Sequence, residues 1–386
     1  MTQPLRFFLI AGEPSGDFLA SKLMLALQNA TDGLASFEGV GGENMASQGL
    51  HSLFPIADLS VMGLVEVLPR LPLILKRLDQ TMSAIERFQP HAVITVDSWG
   101  FTGRVARALH KRGSRIPRIH YVAPMVWAWK ENRAKGVARY VNRLLALFPH
   151  ELPYFQRHGL DAICVGHPVI ESGADAGDAD AFRSRHGIGR DVPLLAVLPG
   201  SRMGEVKRLL PVFEQAVKLI AKRHPGLTVL LPTVDTVAGL VASTVANWSV
   251  PTFVLRGMQE KYDAFAAARA AMAASGTVAL ELAMARLPHV VAYKLNPITV
   301  MAARRMFKIP YVNLSNILLE RLAVPELIQE DCTPERVSDE VLALMADGER
   351  RQRQIEDLDE AMRRLGQGGA SPSQRAAQAV LEMIKP

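Results

Sequence analysis

Three short segments place glycine beside hydroxyl or charged side chains directly after apolar runs. Gly12-Glu13-Pro14-Ser15-Gly16-Asp17 follows Arg6–Ala11, Gly200-Ser201-Arg202 follows Leu194–Leu198 and Pro199, and Ser275-Gly276-Thr277 follows Ala270–Ala274. Glycine permits close backbone approach, and the free N–H groups at a helix start favour anions or hydroxyl-rich ligands. In the second segment Gly200 and Ser201 offer backbone donors, and Arg202 offers a planar fork for phosphate oxygens. In the third, Ser275, Gly276 and Thr277 present donors and a favourable dipole to a diphosphate. Glu281, one turn further on, is placed to accept from both hydroxyls of a ribose. Each segment also reads as a plain capped turn. The second and third together favour a nucleotide-diphosphate cradle, whereas in the first Pro14 and the glycine spacing rule out the dinucleotide fingerprint.

Two apolar stretches carry further candidates. His120-Tyr121-Val122-Ala123-Pro124-Met125-Val126-Trp127-Ala128-Trp129 holds two of the four tryptophans. Tyr121, Trp127 and Trp129 could stack on a sugar or an acyl chain, or simply pack a core corner. Leu59–Leu68, with Met62 inside it, runs on through Pro69 to Leu75 beside Arg70, Lys76 and Arg77. It reads either as an interfacial element resting on anionic headgroups or as an ordinary core helix.

These loops need rigid elements to hold them. Arg6–Ala11, Ala35–Val40, Ala92–Val96, Arg118–Val122, Arg143–Leu147 and Ala162–Val165 are predicted strands, and the helical pattern falls between them at Ser21–Asn29, Leu71–Phe88, Gly103–Lys111 and Glu151–His158. A Gly-, Ala- and Asp-rich stretch from Glu171 to Asp180 reads as a connection. Strands then resume at Leu194–Leu198, Leu227–Leu231, Thr252–Leu255, Ala270–Ala274 and Val290–Tyr293, and from Thr333 only helices are expected. Alternation of this kind predicts an α/β protein with two doubly wound parallel sheets. The expected domains are 1–170, joined by a helix over 366–386, and 171–365.

With 386 residues, 49% hydrophobic and 21% charged, the chain can bury two cores. The net charge of +6 favours anionic partners. No dense basic block with interleaved aromatics marks a nucleic-acid binder. Cys164 and Cys332 stand in no metal or redox spacing and point to a reducing compartment. No uncharged apolar run approaches the ~20 residues that cross a bilayer. The expectation is a cytoplasmic protein in peripheral contact with a membrane, with no cofactor and no metal.

Taken together the motifs resemble the lipid-A-disaccharide synthase family. The matching residues are Ala11-Gly12-Glu13 with Ser15-Gly16-Asp17, Val61-Met62-Gly63, Tyr121-Val122-Ala123-Pro124 with Val126-Trp127-Ala128-Trp129, and Gly166-His167-Pro168. They continue with Leu198-Pro199-Gly200-Ser201-Arg202 and Glu205, Ser275-Gly276-Thr277 and Glu281, and Pro310-Tyr311-Val312 with Asn316. The resemblance implies a GT-B fold, in which two Rossmann-like domains face a cleft and the last helix packs back on the first domain. It implies transfer of diacylglucosamine from UDP-2,3-diacylglucosamine to 2,3-diacylglucosamine 1-phosphate at the inner-membrane surface, forming the β(1→6) disaccharide of lipid A and UDP. Ser15, Gly16, Met62, Tyr121, Trp127, Trp129 and Asn316 then fall to the acceptor and lipid. Gly200, Ser201, Arg202, Ser275, Gly276, Thr277 and Glu281 fall to UDP.

The chain departs from the family where Asp-x-Pro-Asp-Phe-Asn is usual, reading Asp97-Ser98-Trp99-Gly100-Phe101-Thr102. The family's second aspartate, its usual general-base candidate, is Gly100 here. Asp97 is therefore the first candidate to accept the proton of the attacking hydroxyl, with Glu13 and Asp17 behind it. Two other readings stay open on these residues: another GT-B enzyme, such as a UDP-sugar epimerase or a lipid-linked hexosyltransferase, and a non-catalytic lipid- or nucleotide-binding relative. A homodimer also stays open.

Overall fold

The computed structural model describes residues 4–59, 64–126, 133–294 and 310–384, without the side chains of 64–69. The chain divides into two compact units, Met1–Pro168 with Gly368–Pro386, and Val169–Gln367.

The first unit is built on β1 (Leu5–Ala11), β2 (Ala35–Val40), β3 (Ala92–Val96), β4 (Arg118–Tyr121), β5 (Arg143–Ala146) and β6 (Asp161–Cys164). All neighbouring strands are parallel, in the order β2-β1-β3-β4-β5-β6. β3 reads Ala-Val-Ile-Thr-Val and is buried at every position. Such strands carry apolar side chains on both faces and so require helices above and below. The last helix, Pro372–Ile384, packs against the first, Pro14–Ala30. Arg143 ties it down by donating to the Ala379 carbonyl at 2.8 Å.

The second unit holds β7 (Leu194–Leu198), β8 (Thr228–Pro232), β9 (Thr252–Leu255), β10 (Ala270–Ala274), β11 (His289–Tyr293) and β12 (Glu326–Ile328). Their order is β12-β11-β10-β7-β8-β9, again parallel throughout. Counted from β7, this is the doubly wound order 3-2-1-4-5-6. Its core runs from Leu195 and Val197 through Phe213 and Val217 of helix Met203–Arg223 to Val337 and Leu344 of Pro334–Met345. β12, which the sequence does not announce, completes the sheet edge just before Thr333.

Among the described residues no helix is long and apolar enough to cross a membrane. Helix Leu64–Phe88 exposes Leu71 and Leu75 while burying Ile74, Met82 and Ile85.

Three buried histidines link folding to pH. Burial holds His120 down to about 3, against a smaller upward pull from its hydrogen bond to Thr95. Burial likewise holds His167 and His289 down to about 4. All three stay neutral in the folded chain, while the unfolded chain protonates them near the ordinary value of 6.5. The unfolded state then binds more protons, so stability falls as pH drops from 6.5 toward 4. Melting at a series of buffer pH values should show this decline, with net proton uptake on unfolding near pH 5.5 by calorimetry in buffers of different ionisation enthalpy, of order ~2–3 protons. No uptake would mean that these rings are not buried as neutral groups.

Candidate functional site

In each unit the strand order reverses at one point, between β1 and β3 in the first and between β7 and β10 in the second. The connections leaving such a pair diverge to opposite faces, and the gap they leave at the carboxyl edge is where open α/β sheets bind ligands. The glycine-bearing segments singled out from the sequence leave β1, β7 and β10, and Asp97 leaves β3.

In the second unit Leu198 lies beside Ala273, so the segments after β7 and β10 are neighbours. Gly200 has φ 112°, and a Cβ there would stand 2.7 Å from Glu205 Oε2 and 3.5 Å from Ala274 Cβ. Only glycine serves at that position. Arg202 precedes helix Met203–Arg223, and Thr277 precedes helix Val278–Met284; neither residue caps its helix with its side chain. The N–H groups of Glu205, Ala279 and Leu280 turn back to the carbonyls of Arg202, Gly276 and Thr277, and those of Met203, Gly204 and Val278 have no acceptor among the described residues. Ser201, Gly276 and Thr277 are exposed and Ser275 is half-buried.

Arg202 is steered from below. Glu205, 7% exposed, accepts from Arg202 Nη1 at 3.0 Å and from the Tyr293 hydroxyl at 3.2 Å. Burial and the neighbouring Glu205 push the Tyr293 hydroxyl up from its ordinary range, which keeps it a donor. One guanidinium N–H is thus committed to Glu205, and the side chain, 74% exposed, keeps the rest of its fork.

Glu281 is held in the same manner. Lys261 Nζ lies 2.8 and 3.0 Å from the two Glu281 oxygens, and the Tyr262 hydroxyl donates at 3.2 Å. Burial, then Glu281, raises the Tyr262 hydroxyl so that it remains a donor. Glu281 keeps lone pairs for a further donor. Lys261, Tyr262 and Tyr293 carry no signal in the sequence, because their partners lie 19 to 88 residues away.

In the first unit Asp97 and Ser98 are consecutive left-handed residues, φ 51° and 45°, and Val122 at the end of β4 has φ 76°. Strain of this kind persists only where the surroundings fix it. Thr102, fully buried, donates to the Asp97 carbonyl at 2.8 Å and lies 3.1 Å from that of Ser98. A Cβ on Gly12 would lie 2.6 Å from Ser98 Cβ, so Gly12 lets the two segments meet. Asp97 is half-buried, and its Oδ1 accepts from the Ser98 N–H at 2.7 Å. Glu13, also half-buried, stands before the first helix without capping it. Ser15 is exposed and Gly16 is buried beside the Val96 carbonyl.

Three expectations need correction. Asp17 is 2% exposed and accepts from the backbone N–H groups of Gly42, Asn44 and Met45 and from Asn44 Nδ2, at 2.7 to 3.1 Å. It holds the start of helix Glu43–Ser47 and is not available as a base. Asn316 is fully buried in the second unit, donating to the Val324 carbonyl and Glu326 while accepting from the Ala323 and Val324 N–H groups. Its amide serves that turn, not a ligand. Tyr121 is 1% exposed inside the sheet, so it offers no face for stacking. Met62, Trp127 and Trp129 lie outside the described residues.

Two doubly wound parallel sheets, one in each unit, make up the GT-B class of glycosyltransferase fold. MurG from Acinetobacter baumannii matches with a TM-score of 0.58 at 18% identity, covering 99% of each chain. UDP-GlcNAc 2-epimerase from Neisseria meningitidis, bound to UDP-GlcNAc, matches at 0.62 and 11%, covering 98% of this chain and 99% of that one. These likenesses bear on the fold. Residues 7–382 match the sequence profile of the family described as lipid-A-disaccharide synthetase. The lipid-A-disaccharide synthase of Rhodospirillum centenum is 54% identical over 382 residues, covering 99% of this chain and 95% of that protein. That of Paramagnetospirillum magneticum is 52% identical over 380 residues, covering 98% and 97%. The chain belongs to the lipid-A-disaccharide synthase family of glycosyltransferases.

Two substitutions test the expected UDP contact of Arg202 and the structural contacts of Asp17. Arg202→Ala should weaken UDP binding by about 1.5–3 kcal/mol, the worth of a charge-assisted contact; unchanged affinity by calorimetry would remove Arg202 from the site. Asp17→Ala should lower stability by about 1–3 kcal/mol through unsatisfied N–H groups, while turnover per folded molecule stays within a few-fold. A collapse of turnover in a folded variant would restore Asp17 to the chemistry.

Proposed function

We propose that the chain condenses UDP-2,3-diacylglucosamine with 2,3-diacylglucosamine 1-phosphate, giving the lipid A disaccharide and UDP. The observation that carries this reading is the pairing of two uncapped helix starts with Arg202 across the β7–β10 reversal. Arg202 and the N–H groups around Ser201, Ser275, Gly276 and Thr277 would take the diphosphate, and Glu281 the ribose. Charge that grows on the departing UDP then meets donors already in place.

The step is a single displacement. The acceptor 6-hydroxyl oxygen bonds to the anomeric carbon, the bond from that carbon to the β-phosphate oxygen breaks, and UDP leaves with the electron pair. The hydroxyl proton passes to a carboxylate. Asp97 is the proposed base: Oδ1 is fixed by the Ser98 N–H, and Oδ2 has no partner among the described residues. Gly100 is exposed and a Cβ there meets nothing within 4 Å, so the family's aspartate is absent without any steric reason.

Acylated substrates call for access to a membrane surface. The proposed place of action is peripheral, on the cytoplasmic face of the inner membrane, with exposed Leu71 and Leu75 beside Arg70 and Lys76 as the contact.

Purified protein given both substrates should yield the disaccharide and UDP by mass spectrometry. Asp97→Asn should cut turnover by ~10²–10⁴-fold and leave UDP affinity within a factor of a few. An epimerised UDP-sugar in place of the disaccharide would favour the epimerase reading. UDP binding with no turnover would favour a non-catalytic relative.

A further inference from the structure

We propose that the face shared by helices Trp99–Lys111 and Arg133–Tyr140 binds a sugar phosphate, with Arg104 and Arg107 on the phosphate and Trp99 and Tyr140 on the ring. The proposal rests on the reading that the chain uses a phosphorylated hexosamine as acceptor.

A cavity of about 300 Å³ opens there, lined from the first helix by Trp99, Gly100, Gly103, Arg104 and Arg107, and from the second by Gly136 and Tyr140. Helical spacing accounts for the grouping. Trp99, Gly103 and Arg107 stand four apart, as do Gly100 and Arg104, and as do Gly136 and Tyr140. The glycines make the room. A Cβ on Gly100 or Gly136 meets nothing within 4 Å, and a Cβ on Gly103 would lie 2.8 Å from the Trp99 ring. Trp99 can therefore lie along its own helix and form a wall. Its ring also meets His120 edge-on at 4.9 Å, and burial keeps His120 neutral.

The charge is one-sided. Among the described residues no carboxylate lines the cavity, and neither Arg104 nor Arg107 has an ion pair. Arg104 donates to the Gly100 carbonyl from one turn away. An aspartate at position 100 would face Arg104 across that turn and neutralise it. Glycine instead leaves two guanidinium forks for an outside anion. Forks suit phosphate oxygens, and aromatic walls suit the apolar face of a sugar ring.

The test is calorimetric titration of the full chain with glucosamine 1-phosphate, glucosamine, inorganic phosphate and phosphatidylglycerol vesicles. Glucosamine 1-phosphate should bind more tightly than phosphate, and glucosamine should not bind measurably. The double variant Arg104→Gln, Arg107→Gln should weaken glucosamine 1-phosphate by ~10-fold or more, with UDP affinity and circular dichroism unchanged. Gly100→Asp should weaken it as well, since open space there spares the fold. Unchanged affinity in both variants overturns the proposal. So does equal binding of phosphate and sugar phosphate, or a loss confined to vesicles. Disaccharide formation by the same preparations separates the two readings. If the wild type makes disaccharide and the double variant leaves acceptor KM unmoved, the pocket falls and the function stands. If no disaccharide forms but the variants still lose sugar-phosphate binding, the function falls and the pocket stands.

Discussion

A parallel sheet buried on both faces sends every strand end to one edge, and the strand order can reverse only where two connections part. The chemistry of this chain follows from that constraint. The reversals at β1–β3 and β7–β10 set Gly12 and Glu13 beside Asp97 and Ser98, and Gly200 and Arg202 beside Ser275 and Thr277. Sheet register brings these residues together although they stand far apart in sequence. Little further machinery is needed to gather backbone donors at one point, because the two helix starts in the second unit have no side-chain caps.

The charged groups around that point are held, not loose. Glu205 and Tyr293 form a buried base for Arg202, and Lys261 with Tyr262 anchors Glu281. A flexible arginine loses rotamer freedom when it binds phosphate, and a contact made beforehand reduces that cost. In the first unit the same work falls to Thr102, which pins the left-handed turn that presents Asp97. The family pattern has asparagine at that position, and threonine here supplies one hydroxyl to two carbonyls.

Most of the sheet is legible in the sequence because its strands are short apolar runs; Ala92–Val96, Leu194–Leu198 and Ala270–Ala274 begin and end where those runs do. β12 is not legible, since three residues with a glutamate carry no apolar period, and Glu326 holds the backbone of Val312 and Asn313. Helix Arg133–Tyr140 escapes notice because only Ala134 and Val137 of its eight residues are buried. The first helix begins at Pro14, well before the apolar period does, because Gly16 and Asp17 resemble loop residues yet pack against the sheet and hold a neighbouring helix start. The glycine-bearing loops after β1, β7 and β10 are legible from local composition. Asp17 and Asn316 mislead for the converse reason: both are held by backbone groups of a fold that local composition does not reveal.

UDP is proposed to sit at the β7–β10 reversal. Hydrogen exchange of the full chain with and without saturating UDP tests that placement. Protection should rise across residues 199–206 and 275–281, with no comparable change across residues 12–17. Protection concentrated at residues 12–17, with the loops after β7 and β10 unmoved, would place the nucleotide in the first unit instead.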